Sequence, residues 1–211
     1  MRLLLASGSP RRAEILSALG IPFTAVPTRV DETIAPGESG RDAASRLAGE
    51  KAAAAAALHP ADWVLAADTL VLLDGTVLGK PRDEGEAGEM LRRLSGREHR
   101  VVTAVRLTKG VGPAFEAIEE SRVRIAPLDD EEIRWYVSTG EPRDKAGAYA
   151  VQGLGARFVE SVDGSFSNVM GLPARSVYRL LREAPDPALA RLALASARVS
   201  SGTSGRRPRR E

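Results

Sequence analysis

The chain has no cysteine and only two histidines, His59 and His99, among its 211 residues. Disulfides, thiolate metal sites and cysteine nucleophiles are excluded together, and so is a site built on several imidazoles. Long apolar runs are missing as well. None approaches the roughly 18 to 20 residues that cross a bilayer. The amino-terminal run "LLLA" is soon broken by Arg11 and Arg12, too early for the apolar core of a secretory leader, so a cytoplasmic protein without a membrane segment is expected. No nucleophile-elbow serine occurs, and "GLG" at 153–155 lacks the third glycine of a dinucleotide fingerprint. The available chemistry is that of carboxylates, lysines, arginines and hydroxyls, with a hard divalent cation if there is a metal.

What is present is an ordinary globular composition, 43% hydrophobic and 27% charged, long enough for one domain or two closely packed lobes. The net charge of +2 is unevenly placed. Residues 185–211 hold six arginines against Asp186 and Glu211, leaving 24 basic and 26 acidic residues for the rest. The basic character therefore lies in the carboxy-terminal end. "VSSGTSGRRPRRE" reads as a disordered extension, and no nucleic-acid partner is expected.

The pattern of elements is mixed. Residues 2–6 read as a buried strand. Ser9 suits an N-cap and Pro10 a first helical position, with Ala13, Leu16 and Leu19 as the apolar stripe and Gly20 as the stop. A second helix is expected over about 40–58, opened by Ser39 and Asp42 and closed at His59-Pro60. "WVLAADTLVLLDGTVLG" reads as a hairpin turning at Asp74-Gly75. A helix capped by Asp83 comes next, then strands near 100–108 and 115–126. After these are a helix from Asp129 to Gly140, a glycine-rich stretch, a strand near 157–162 and a last helix from about 174. Hairpins beside βα crossings imply an α/β fold with a mixed sheet.

Several places carry chemistry. A strand, the small-residue turn Ser7-Gly8-Ser9 and a helix start make an anion site, because first-turn N–H groups lack intrahelical partners. Arg11 and Arg12 can add contacts to phosphate oxygens. They point about 100° apart, so one of them can instead lie on the solvated helix face. Asp68 interrupts an apolar run, where a carboxylate is costly unless it is paired or metal-bound; the alternative is a strand-end residue capping a turn with Thr69. Asp31 and Glu32 lie in a loop-like segment, and Lys51 falls on the second helix. Lys80, in "GTVLGKP", half resembles a phosphate loop, but Gly75 and Gly79 enclose three residues and Pro81 replaces the hydroxyl residue. Cations for phosphates, with carboxylates for a divalent metal and a water, together suit phosphoanhydride chemistry.

The blocks "LLLASGSPRRAEIL", "AADTLVLLDGTVLGKP", "MLRRLSGREHRVVTAV", "DKAGAYAVQG" and "NVMGLP" resemble the Maf family of nucleotide pyrophosphatases, in order and at similar spacing over about residues 2–183. The resemblance implies an elongated α/β fold with a deep cleft, related to the inosine-triphosphate pyrophosphatase class and often a homodimer, here as one domain over residues 1–184. It implies hydrolysis of nucleoside triphosphates to monophosphate and pyrophosphate with Mg²⁺ or Mn²⁺. On this likeness Asp68 is the proton acceptor and Ser7, Arg11 and Arg12 contact phosphate. Glu32, Lys51, Lys80 and Lys145 are further charged cleft residues. The working expectation for the metal is that Asp68 and Glu32 hold it. Arg11, Thr69 and Gln152 match the branch similar to dTTP/UTP pyrophosphatases, and a glutamine amide, both donor and acceptor, suits a pyrimidine edge. The rivals are the 7-methyl-GTP branch and a non-catalytic regulator of septum formation.

Overall fold

The computed structural model describes residues 1–194; the basic end beyond Leu194, expected to be disordered, lies outside the described residues. Seven strands form one mixed sheet. Strand β1 (Leu3–Leu5) leads into α1 (Pro10–Ala18), β2 (Thr24–Ala25) and α2 (Gly40–Leu58). The long β3 (Trp63–Leu73) turns through Asp74-Gly75 into β4 (Thr76–Leu78), followed by α3 (Glu84–Leu94). Then come β5 (Glu98–Lys109), β6 (Phe115–Ile125), α4 (Asp130–Ser138), three short 3₁₀ turns between Glu141 and Phe158, and β7 (Val159–Asp163). Helices α5 (Phe166–Met170), α6 (Ala174–Glu183) and α7 (Pro187–Leu192) complete it.

The order is β2-β1-β3-β5-β6-β7, parallel between β1 and its two neighbours and antiparallel from β3 through β5 and β6 to β7. Strand β3 organises the core by its period of two. Its odd positions Leu65 and Ala67 pack with Ile15, Leu16 and Leu180, and Val71 and Leu73 pack with Leu91, Ile133 and Tyr136. Its even positions Val64 and Ala66 meet Ala52, Ala55 and Ala56 of α2, while Leu70 and Leu72 meet Ala43, Ala44 and Ala48. The alanine run thus serves twice. It favours helix, and its small side chains let α2 lie close along one sheet face.

One feature of the sheet positions the site. Strand β1 pairs with β3 only at Trp63–Leu65, and β4 pairs with the same strand only at Val71–Leu73. Strand β5 occupies the other edge of β3 at every position from Trp63 to Leu72. Residues 66–70 therefore face a gap between β1 and β4, whose lining comes from both faces of the sheet.

Three local expectations are corrected. Ser9 caps α1 in backbone conformation only; its side chain accepts nothing, and its own N–H donates to Ser7 Oγ. The buried residues of α1 are Arg12, Ile15 and Leu16, with Leu19 exposed, because the guanidinium has partners under the helix. Nor does the domain stop at 184. Asp186 caps α7 and accepts from Trp63 Nε1 at 2.9 Å, and Leu189 is fully buried beside Leu180 and Leu181. By contrast, Asp129 and Glu132 form a complete capping box, and Ser39 Oγ accepts from the Asp42 N–H.

Candidate active site

A cleft of about 520 Å³ opens at the gap between β1 and β4, and all ten predicted site residues line it. Asp68 projects from the middle of β3 toward α2, between the two alanine clusters. There Lys51 Nζ donates to Asp68 Oδ1 at 2.5 Å and to Glu32 Oε1 at 2.6 Å. Glu32 Oε2 lies 3.7 Å from Lys80 Nζ. Carboxylates and ammoniums thus alternate from the sheet floor to the mouth. Asp68 and Lys51 are buried, while the side chains of Glu32 and Lys80 are 50% and 59% exposed. Burial pushes the Asp68 carboxyl above its ordinary range, only partly offset by Lys51 and Arg12. Burial acts upward on Glu32 too, but there the hydrogen bond and charge of Lys51, with Lys80 and Arg12, prevail and hold it low. Two carboxylates in one cleft are driven apart in basicity, the usual way of separating their tasks.

The opposite wall is neutral apart from one cation. Thr69 follows Asp68 and so points to the other face of the sheet. Arg12 reaches it from α1: Nη2 donates to Thr69 Oγ1 at 3.1 Å, Nη1 to Ser7 Oγ at 3.1 Å and Nε to the Gly171 carbonyl at 2.8 Å. Thr69 Oγ1 also meets Thr103 Oγ1 of β5 at 3.0 Å. One guanidinium thus ties the turn after β1 to β3 and to the end of α5, and burial lowers its pKa. Arg11, a third of a turn away, points along the mouth, where Nη1 lies 3.4 Å from Asp144 Oδ2. Asp144 also ion-pairs with Lys145. Gln152 is exposed at the far end of the cleft.

Three cleft residues escaped the reading of the sequence. Asp144, beside Lys145 in "RDKAG", neutralises two cations at once; an acidic residue next to a candidate lysine was the available signal. Thr28 has a buried hydroxyl without a partner among the described residues, and a lone threonine in a loop gives no signal. Tyr149 lines the cleft and is held from behind, its hydroxyl 2.7 Å from Nε2 of the buried His99. Burial brings His99 down to about 4 and pushes Tyr149 up.

For a metal, the described residues offer no group of three or more histidine, cysteine, aspartate or glutamate side chains. Asp68 and Glu32 are two hard oxygen donors on either side of the Lys51 ammonium. That fits an ion which takes one or two carboxylates and completes its shell with water and phosphate. Chemically, the arrangement can hold a polyanion along Arg11, Lys80, Lys145 and the α1 N-terminus while presenting a basic carboxylate beneath it.

Residues 2–184 match the family described as Maf-like protein, and the chain belongs to that family. A protein named dTTP/UTP pyrophosphatase from Anaeromyxobacter dehalogenans (strain 2CP-1 / ATCC BAA-258) is 53% identical over 189 residues, 88% of this chain and 95% of the relative. Another of that name, from Symbiobacterium thermophilum, is 48% identical over 182 residues, 86% and 93% of the two chains. Among solved structures, a HAM1 protein from Coxiella burnetii is 18% identical with a TM-score of 0.45, over 60% of this chain and 73% of that one. No described helix is long and apolar enough to cross a membrane.

Proposed function

We propose that the protein hydrolyses dTTP and UTP, and modified pyrimidine nucleotides of the same shape, to the monophosphate and pyrophosphate. The observation that carries this reading is the buried Asp68, held by Lys51 beneath a cleft whose mouth is lined with cations. Asp68 orients a water and accepts its proton. The water oxygen bonds to the α-phosphorus as the bond from that phosphorus to the α–β bridging oxygen breaks, and pyrophosphate leaves. Lys80, Arg11 and Lys145 face the charge that grows on the departing group; Lys51 keeps Asp68 in place and compensates its burial. Arg12 and Ser7 shape the turn whose N–H groups meet phosphate, and Thr69 and Gln152 meet the nucleoside. A divalent ion, Mg²⁺ or Mn²⁺, held by Asp68 and Glu32 would supply charge neutralisation of the phosphates and a lowered water pKa. A homodimer, implied by the family resemblance, and a cytoplasmic setting, expected from the amino-terminal sequence, belong to the same reading.

The test is product analysis by chromatography after incubation with dTTP, UTP, CTP and 7-methyl-GTP in parallel, each with Mg²⁺, with Mn²⁺ and with chelator. Monophosphate and pyrophosphate from dTTP and UTP are expected. Turnover of 7-methyl-GTP alone would overturn the base assignment, and diphosphate with phosphate would move the attack to another phosphorus. Undiminished turnover in chelator would remove the metal.

A further inference from the structure

The segment 150–155 lines the cleft through Gln152, and its backbone is gripped from outside by two residues that never reach the cavity. Glu141 Oε1 accepts from the Leu154 N–H at 3.0 Å and Oε2 from the Gly155 N–H at 3.0 Å. The Tyr136 hydroxyl donates to Glu141 Oε2 at 2.7 Å and accepts from the Ala150 N–H at 3.0 Å. Both flanks of Gln152 are therefore fastened to one carboxylate–phenol pair. Tyr136 is fully buried and edge-packed on Phe158, so the pair stands on the core.

The same contacts explain the "GLG" that no dinucleotide site accounts for. A Cβ on Gly153 would fall 2.0 Å from Glu141 Oε1, and one on Gly155 would fall 2.6 Å from the Tyr136 hydroxyl and 2.8 Å from the Ala150 carbonyl. The glycines let the backbone come close enough for its N–H groups to reach the carboxylate. The grip is charge-assisted, and such bonds are the stronger kind.

We infer that Tyr136 and Glu141 are positioning residues for base selection: they fix where the Gln152 amide stands and thereby set which nucleobase the cleft accepts. The inference rests on the proposed pyrimidine triphosphatase reading. A group that hydrogen-bonds a base discriminates only while it is held to within fractions of an ångström, and small displacements of positioning groups are felt in rate.

The experiment compares Glu141→Gln and Tyr136→Phe with wild type and with Gln152→Ala, alone and combined, measuring kcat and KM for dTTP and for ATP. In Glu141→Gln an amide NH2 replaces one oxygen and faces an N–H donor. The expected result is a fall of about tenfold in kcat/KM for dTTP, carried by KM, with ATP changed less than about twofold. In the Gln152→Ala background the same substitution costs less than about twofold, because effects routed through one group do not add. An equal fall on dTTP and ATP, or an undiminished effect without Gln152, would reduce the pair to a stability element and overturn the inference. Should Glu141→Gln fail to fold by circular dichroism, Tyr136→Phe, which keeps the packed ring, decides by the same ratios. Wild-type protein that turns over neither dTTP nor UTP overturns the function reading and the inference with it. Failure of the clamp alone leaves wild-type turnover intact.

Discussion

Arg12 and Lys51 are both nearly buried cations in one cleft, 9% and 7% exposed, yet they are held in opposite ways. Arg12 spends its donors on neutral oxygens from Ser7, Thr69 and Gly171. Its planar fork meets three separate segments at once, a task its rigid geometry suits. Lys51 is placed between two carboxylates, one at the floor and one half in water. The Arg12 guanidinium has all three of its nitrogens bonded within the protein. Around Lys51 the ion pairs alternate out to exposed Glu32 and Lys80, whose contacts solvent and a polyanion can take over. One cation ties segments of the fold together, and the other stands in a line of ion pairs that runs out to the mouth.

The sharpest break of that comparison is Asp68→Asn. Turnover should fall by about a thousandfold or more, while the melting temperature by calorimetry stays level or rises. The sign comes from the raised carboxyl pKa: the fold favours the protonated form, so the ionised group costs stability near neutral pH, and Asn removes that cost. Lys51 keeps Glu32 as partner. A melt well below wild type would make Asp68 a structural ion-pair residue instead.

Arg12→Met should show the reverse. Ser7, Thr69 and the Gly171 carbonyl each lose one donor, while Ser7 keeps the Ser9 N–H and Thr69 keeps Thr103, so urea unfolding is expected to lose about 2 kcal/mol, with kcat falling less than in Asp68→Asn. A stable Arg12→Met with poor dTTP binding would make Arg12 a ligand contact, not a tie between segments. Lys80→Gln comes next. Its 3.7 Å pairing with Glu32 is exposed and contributes little to folding, so the melt should not move while KM for dTTP rises about fivefold to tenfold. The smallest effect is in the pH profile. As Asp68 must be ionised to take a proton, kcat/KM should decline as pH falls, with an acid limb above the ordinary aspartate value of about 3.9. A limb at or below that value would exclude the raised carboxyl as the base.

How much of this was legible in the sequence depends on how local the cause is. Asp68 stood out because a charge inside "VLAADTLVLL" breaks a buried-strand pattern, and the caps at Asp83 and Asp129 are three-residue signals. The burial of Arg12 was illegible, since a count of apolar positions along α1 cannot register a guanidinium whose acceptors lie on Thr69 and Gly171, 57 and 159 residues away. The gap between β1 and β4 was equally hidden. It arises from two separate strands choosing the same edge of β3, which no periodicity encodes. Helix α7 was masked by the basic composition of the carboxy-terminal end, although Asp186-Pro187 is a regular helix opening. The Glu141 grip on residues 154 and 155 left only its glycines as a trace.

The ladder between β3 and β5 runs through ten successive residue pairs, from Trp63–Lys109 to Leu72–Arg100, with Asp68 opposite Ala104 near its centre. In engineering language this is a girder continuous beneath the whole opening, not two beams joined by a pin. Folding it at Asp68 would rupture cross-strand bonds on either side. In the proposed reaction the carboxylate would be delivered already aimed, with no reorganisation of the floor left to be done at the moment of reaction.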